Sequence, residues 1–326
     1  MSDTDEILAV KAAELYYEAG KTQDEIGVAL NISRWKVGRL LVQARERGFV
    51  RIEIVHPSAR RFPLERELRG RFGLSDAVVV PVLDSDVQAR VAEAAAEYLT
   101  TLRPVPRSLG VSWGRTLQAV AARLRPGWAA GVNPVQINGS VSHNDGAAQD
   151  DTAVTIARKA QGTATLLPSP AIFEHAETRR AVEADRSVQR VLALARSAAA
   201  YLFSAGVADQ RSVHVSSGYL TDREVADLAA RGAVGDVVGR FITATGEVAD
   251  PALDERTLGI TLDELRRSRR TIAVIAGQAK HAVCRAVVTS GLCSTLVTDE
   301  ATATMLLESA PEGSGGLEKI SKEGSS

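Results

Sequence analysis

Apolar residues repeat at helical spacing in three short segments between residues 5 and 46. Because positions three and four apart lie on one face of a helix, each segment predicts an amphipathic helix with one buried stripe. The predicted stripes are Leu8, Ala12, Leu15 and Tyr16 over residues 5–19, then Ile26, Ala29 and Leu30, and finally Val37, Leu40, Leu41 and Ala44. We therefore expect a first helix that braces two shorter ones.

Polar residues mark where the second and third helices begin. Thr22 and Glu25 have the spacing of a capping box, in which each side chain bonds a backbone amide of the other residue. Asn31 and Ile32 form a short turn, and Ser33 follows at the position of an N-cap. Caps and turn together predict a helix-turn-helix.

The pattern then changes from helical spacing to alternation. Alternating apolar positions over residues 49–55 predict a short strand, which would be the wing of a winged helix. A break at Pro57 begins a linker, and Leu64, Leu68 and Phe72 recur at helical spacing beyond it. Two interpretations of that stripe stay open: it joins subunits, or it packs on its own domain.

From residue 77 onward, strand patterns alternate with amphipathic helix patterns. The predicted strands are 77–82, 108–112, 134–138, 164–167, 201–204, 213–216, 236–242, 271–276 and 295–298. The predicted helices are 87–102, 115–124, 151–159, 176–195, 221–231, 261–267, 280–289 and 300–307. This alternation predicts the α/β fold class, with a doubly wound, mostly parallel sheet. We expect a DNA-binding domain at 1–56, an effector-binding and oligomerisation domain at 57–307, and a disordered tail at 308–326.

Charge and composition restrict the class of protein. The 326 residues have a net charge of −1, so the chain as a whole is not a polyanion binder and its positive charge is local. Two cysteines, Cys284 and Cys293, give no disulfide framework. No apolar run approaches a membrane span, and the acidic start is not a signal peptide. We expect a cytoplasmic protein with no membrane partner.

The third predicted helix carries positive charge on the face opposite its apolar stripe. Trp35 and Arg39 project there, and residues 34–51 contain six basic side chains but only one acid, Glu46. A basic helix attracts the phosphate backbone, which predicts double-stranded operator DNA as a partner. The alternative is a surface helix pair with solvated charge. The residues expected to contact DNA are Thr22, Gln23, Ser33, Arg34, Trp35, Lys36, Arg39 and Arg45.

Four stretches are predicted to meet at one edge of the sheet, where parallel strands end and ligands bind. They are residues 110–116, 138–140, 232–236 and 276–280. Free amides and hydroxyls after the first strand suit an anion such as phosphate, and Lys280 adds a compact positive charge. The alternative for each stretch is an ordinary structural turn. The residues expected to bind the effector are Gly110, Ser112, Trp113, Gly114, Arg115, Thr116, Gly139, Ser140, Asp236 and Lys280.

Two parts of the chain resemble SorC-type sugar-responsive transcriptional regulators. The first comprises residues 15–26, 31–34 and 39–41, and the second comprises 110–117, 232–241, 276–280 and 296–301. The resemblance implies an effector domain similar in fold to ribose-5-phosphate isomerase and glucosamine-6-phosphate deaminase. It also implies a phosphorylated-sugar effector, a homotetramer, phosphate contacts at 112–116, and effector contacts at Gly139, Ser140, Asp236 and Lys280.

Two enzyme interpretations compete with a regulator. Residues 110–114 match G-x-S-x-G, the nucleophile elbow of α/β-hydrolases, and Asp236 and His281 follow in that fold's chain order. A sugar-phosphate isomerase or deaminase would instead need a general base, for which Asp236 is the candidate. We expect neither activity, and no catalytic residue, metal or cofactor. The sequence predicts a transcriptional regulator, a repressor, controlled by a phosphorylated sugar.

Overall fold

A computed structural model of the chain describes residues 3–50, 60–81, 86–140 and 152–308. The chain divides into two compact units, Met1–His56 and Pro57–Ser326. The predicted strand at 49–55 lies outside the described residues except for its first two positions. The predicted tail lies outside them except for Glu308.

The first unit packs helices around a small apolar core. It contains α1 (Asp3–Ala13), a π-helical turn (Glu14–Glu18), α2 (Gln23–Leu30) and α3 (Arg34–Glu46). Its buried residues are Ala9, Ala12, Ala13, Ile26, Val37, Leu40, Leu41 and Ala44. The predicted stripe of α3 is therefore confirmed, whereas Ala29 of α2 and Tyr16 are exposed rather than buried.

Side-chain caps fix the start of both α2 and α3. The Thr22 amide donates to Glu25 Oε2 at 2.8 Å, and the Glu25 amide donates to Thr22 Oγ1 at 3.3 Å, which is the predicted capping box. Asn31 closes the turn in the left-handed conformation, with φ of 53°. Ser33 Oγ then accepts from the Lys36 amide at 3.2 Å and begins α3.

The second unit alternates strands and helices. Its strands are β1 (Asp76–Val80), β2 (Ser108–Val111), β3 (Asn133–Gln136), β4 (Ala200–Phe203), β5 (Ala205–Val207), β6 (Ala233–Val237), β7 (Arg240–Thr243), β8 (Thr271–Val274) and β9 (Thr295–Asp299). Its helices are α4 (Phe62–Phe72), α5 (Val87–Thr101), α6 (Arg115–Arg123), α7 (Thr152–Lys159), α8 (Ala176–Glu183), α9 (Arg186–Arg196), α10 (Val213–Ser216), α11 (Asp222–Ala230), α12 (Pro251–Arg256), α13 (Leu262–Arg266), α14 (His281–Thr289) and α15 (Glu300–Glu308). No helix in the described ranges is long and apolar enough to cross a membrane.

Six of the strands form one parallel sheet in the order β1-β9-β8-β4-β2-β3. Successive side chains of a strand point to opposite faces, so Val78 packs in one core and Val79 in the other. The face that carries Val78 is covered by α5, α6 and α7, and the face that carries Val79 is covered by α4, α9, α14 and α15. The predicted α/β class with a mostly parallel sheet and helices on both faces is confirmed.

A second sheet was not predicted. Strands β5, β6 and β7 form an antiparallel sheet of three strands, so the predicted single strand at 236–242 is in fact a hairpin. Its turn lies at Val238 and Gly239, which both have positive φ, at 49° and 86°. The predicted strand at 213–216 is wrong as well, because Ser212 Oγ caps the helix α10 there.

Two further elements differ from the sequence prediction. The predicted helix at 176–195 is broken into α8 and α9, because Asp185 accepts from the Ser187 amide at 2.8 Å and starts a new helix. The predicted strand at 164–167 forms only an isolated bridge from Thr165 to Val135. The prediction therefore failed where a side-chain cap inside a helical pattern starts a new helix, and where a short apolar segment pairs at one residue only.

The stripe on α4 packs on its own domain. Leu68 has no exposed surface and belongs to the larger core, and Leu64 and Phe72 pack partly buried against the same core. This favours the second interpretation of the stripe over a role in joining subunits. In contrast, Phe62 at the start of α4 is 64% exposed.

Leu68→Ala should lower the free energy of unfolding by about 2–5 kcal/mol, because it leaves a cavity in a closed core. Phe62→Ala on the same helix is the control and should cost less than about 1 kcal/mol. Urea unfolding measures both values, and light scattering reports the mass of the folded protein. A Leu68→Ala protein of normal stability and reduced mass would restore the subunit interpretation.

Candidate functional site

A cavity of about 700 Å³ lies beside the carboxyl ends of the central strands in the second unit. Loops after β2, β3, β4 and β8 contribute to its wall. Ligand sites in open α/β sheets commonly lie at this edge of the sheet. Eight of the ten residues predicted to bind the effector line this cavity: Ser112, Trp113, Gly114, Arg115, Thr116, Ser140, Asp236 and Lys280.

The loop after β2 presents free backbone amides to the cavity. Gly114 precedes α6 with φ of 129°, a conformation that favours glycine, and no side chain caps the helix. The first helical bond at this end runs from the Gln118 amide to the Gly114 carbonyl at 2.9 Å, so the amides of residues 115–117 have no helical acceptor. The buried hydroxyls of Ser112 and Thr116 lie beside them. Such a helix start binds anions.

Lys280 reaches the same loop from the other side of the cavity. Its Nζ lies 3.4 Å from Thr116 Oγ1 and 3.4 Å from Ser204 Oγ. Burial lowers the pKa of Lys280, and the nearby Arg115 guanidinium lowers it further, whereas Asp236 acts in the opposite direction. An anion bound here would favour the charged amine and relieve part of this cost.

A buried carboxylate holds the turn that positions Lys280. Asp299 Oδ2 at the end of β9 accepts from the Gly277 amide at 2.8 Å, just before a single 3-10 turn over Gln278–Lys280. Thr302 donates to the same carboxylate from its amide and its hydroxyl, at 2.9 and 2.6 Å. This network fixes the carboxyl ends of β8 and β9 relative to each other.

Asp236 lines the cavity, but from a different element than predicted. It lies within the antiparallel strand β6 instead of a turn after a strand of the main sheet. Its Oδ2 accepts from the Gly239 amide at 3.2 Å and lies 3.4 Å from His214 Nε2. His214 is fully buried between Trp113 and Phe241, with ring centroids at 5.6 and 5.5 Å.

Gly110 and Gly139, two of the residues predicted to bind the effector, do not line the cavity. Gly110 lies inside β2, where an added Cβ would come within 2.6 Å of the Tyr201 ring. At Gly139 an added Cβ would come within 2.1 Å of the Pro170 carbonyl. The Gly139 carbonyl also accepts from Trp113 Nε1 at 2.6 Å, so it supports the cavity wall indirectly.

Several residues that line the cavity were not predicted. They lie at or next to the end of a strand or the start of a helix, a position that their sequence neighbours alone could have indicated. They include Asp86, Gln88, Gln136, Ser204, Arg211 and Val238. His214 lies behind the wall on α10, and no motif in the sequence marks it.

The residues of the proposed hydrolase triad are not assembled. In the described part of the chain, Asp236 faces His214, and no hydrogen bond connects Ser112, Asp236 and His281. His281 also does not line the cavity. The geometry therefore gives the Gly-x-Ser-x-Gly segment no support as a nucleophile elbow.

The α3 residues that were predicted to contact DNA differ in their exposure and in their ion pairing. Trp35 is 89% exposed and Arg39 is exposed on the same face. Arg34 lies 3.4 Å from Asp24, and Lys36 lies 3.4 Å from Asp5. Among the described residues, neither Arg39 nor the exposed Arg45 forms an ion pair.

The remaining predicted DNA contacts have structural roles. The hydroxyls of Thr22 and Ser33 cap α2 and α3, so both are engaged within the unit. Gln23 is partly buried, and an added Cβ at Gly38 would lie 3.4 Å from its Oε1. Of the α3 residues predicted to contact DNA, Trp35, Arg39 and Arg45 have no side-chain partner among the described residues.

Comparison with known proteins identifies relatives along nearly the whole chain. The chain is 33% identical to the "Deoxyribonucleoside regulator" of Bacillus subtilis, over 92% of this chain and 97% of the relative. It is 32% identical to "Transcriptional regulator LsrR" of Enterobacter sp. (strain 638), over 93% of this chain and 94% of the relative. The crystal structure of the full-length sorbitol operon regulator SorC from Klebsiella pneumoniae superimposes with a TM-score of 0.69 at 27% identity, covering 94% of this chain and 99% of that one.

A family model supports the same assignment. The model described as "Putative sugar-binding domain" matches residues 56–308, which contain every strand of both sheets and the cavity. The match covers most of the chain, and the relatives named above are transcriptional regulators. The chain belongs to the SorC family of sugar-binding transcriptional regulators.

Proposed function

We propose that this chain is a DNA-binding repressor whose affinity for operator DNA is controlled by a phosphorylated sugar. The observation that supports a phosphorylated-sugar effector is the arrangement of Lys280 and Thr116 around the uncapped start of α6. Backbone amides, hydroxyls and one ammonium group together match the several acceptor oxygens of a phosphate. The remaining polar wall of the cavity suits sugar hydroxyls.

The DNA part rests on α3 and on the relatives. Arg39 and Arg45 are exposed, form no ion pair with any described residue, and lie on the side of α3 that does not pack in the core. Relatives at full length include the "Deoxyribonucleoside regulator" of Bacillus subtilis and the "Sorbitol operon regulator" of Klebsiella pneumoniae. We propose that α2 and α3 are the helix-turn-helix and that α3 enters the major groove.

A homo-oligomer, a tetramer by family resemblance, would complete this mechanism. A two-fold axis would present paired copies of α3 to the two halves of a palindromic site. The effector would then act by binding one arrangement of the subunits more tightly than another, since a ligand shifts an equilibrium only through such a difference.

A second candidate function is a sugar-phosphate isomerase or deaminase. The observation in its favour is that Asp236 lines the same cavity as Lys280, where a carboxylate could act as a general base. The two functions differ in what happens to the ligand, because an enzyme consumes it and a regulator leaves it unchanged.

Thermal unfolding with a panel of sugar phosphates tests the proposal. The panel contains ribose 5-phosphate, glucose 6-phosphate and other sugar phosphates. Each is compared with its unphosphorylated sugar and with inorganic phosphate. We expect at least one sugar phosphate to stabilise the protein by about 2.7 kcal/mol at a hundred times its Kd, and to be recovered unchanged. Conversion of the ligand would favour the enzyme, and no stabilisation by any phosphorylated sugar would refute the effector assignment.

A further inference from the structure

Trp35 is a large apolar side chain that the first unit leaves in solvent. It lies in the first turn of α3 and is 89% exposed, although the other side of the same helix is fully packed. Within the described residues it has no aromatic contact and no hydrogen-bond partner. Its exposure therefore does not serve the stability of the unit.

The charges around Trp35 indicate which surface covers it. Arg39 lies one helical turn further along the same face and is unpaired among the described residues. Arg34 and Lys36 flank Trp35 in sequence, and each lies 3.4 Å from an aspartate of the same unit. The first turn of α3 carries no acid. A surface that combines an apolar group with positive charge complements a partner that combines apolar groups with negative charge. The major groove of DNA provides the thymine methyl groups, and the phosphates beside it provide the negative charge.

The indole group selects one base edge in that groove. It offers an apolar surface and a single donor, Nε1–H, but no acceptor. Thymine alone presents a C5 methyl group together with an acceptor, O4. Against cytosine the indole would bury an amino donor without a partner, and against guanine or adenine it would find no apolar group.

We propose that Trp35 reads a thymine in the operator by packing on its C5 methyl group. This inference rests on the proposed DNA-binding function and adds a specificity determinant to it. Trp35 would then set sequence preference at one position of the site, while Arg39 and Arg45 supply contacts to other bases or to phosphates.

Deoxyuridine makes the test direct, because it differs from thymidine only in lacking the methyl group. An operator is first selected from random duplexes with the full-length protein, and each thymine is then replaced singly by deoxyuridine. At one position we expect affinity to fall about fourfold, which corresponds to about 0.8 kcal/mol for one buried methyl group. At that position Trp35→Ala should bind the two duplexes equally, and Trp35→Phe should retain part of the preference.

Ile7→Ala is the matched control, since Ile7 is 67% exposed on α1 and outside the proposed reading helix. It should keep the full preference for thymine, and all variants should melt like the wild type because both side chains are exposed. If no thymine is sensitive to loss of its methyl group, or if the sensitivity persists in Trp35→Ala, the inference is wrong while DNA binding stands. If selection enriches no sequence, the proposed DNA-binding function itself fails.

Discussion

Lys280→Ala should bind its sugar phosphate roughly tenfold to a hundredfold more weakly than the wild type. The change removes the ammonium group that lies 3.4 Å from both Thr116 Oγ1 and Ser204 Oγ in the cavity. A charge-assisted hydrogen bond contributes about 1.5–3 kcal/mol, which gives the expected range of affinity. Titration calorimetry with the sugar phosphate identified by thermal unfolding measures the loss directly. DNA affinity without effector should change little, because Lys280 belongs to the second unit.

The control for this experiment is Arg269→Ala, which removes an exposed positive charge of the same unit outside the cavity. It should bind the sugar phosphate like the wild type. Since burial lowers the pKa of Lys280, wild-type affinity should weaken as pH rises through that lowered value, and Lys280→Ala should lose this dependence. Full-strength binding by Lys280→Ala would mean that the effector binds elsewhere.

Arg39→Ala should bind the operator about fivefold to 150-fold more weakly, which corresponds to the loss of about 1–3 kcal/mol. Arg39 is exposed on α3 and makes no ion pair with any described residue, so its guanidinium is available for a base edge or a phosphate. Fluorescence anisotropy with a labelled duplex at fixed salt measures the change. Two further measurements then distinguish the two kinds of contact. Loss of a phosphate contact reduces the dependence of DNA affinity on salt concentration, whereas loss of a base contact relaxes sequence specificity.

Lys11→Ala serves as the control for loss of charge. Lys11 is an exposed cation in the last turn of α1. Its removal tests whether loss of any positive charge on the first unit is enough to weaken DNA binding. We expect Lys11→Ala to retain nearly full affinity. Equal affinity of Arg39→Ala and the wild type would show that this face of α3 does not contact DNA.

The main sheet could be predicted from sequence because its strands are buried on both faces. Continuous apolar runs such as residues 272–276 give a strong strand signal, and the helices between them have clear apolar stripes. The antiparallel sheet gave no such signal, since β5 and β6 contain glycines and the polar Asp236. Val213–Ser216 has a pattern that fits a strand or a helix, and the cap at Ser212 decides for the helix.

The candidate site was predictable where its residues follow strands of the main sheet. Thr116 and Lys280 lie in the segments that follow β2 and β8, so the rule that ligands gather at carboxyl ends places them together. Asp236 lines the cavity from an element that was not predicted, because its position depends on the hairpin. His214 reaches Asp236 only through tertiary packing, which no local pattern encodes.

We propose that effector binding in the second unit changes the DNA affinity of the first unit. Fluorescence anisotropy of a selected operator duplex, measured at fixed salt with and without a saturating sugar phosphate, tests this directly. We expect the ligand to change the DNA dissociation constant by about 5–150-fold and to be recovered unchanged. Lys280→Ala should fail to respond at the same ligand concentration. An unchanged dissociation constant at saturating ligand, or consumption of the ligand during the measurement, would contradict the proposal.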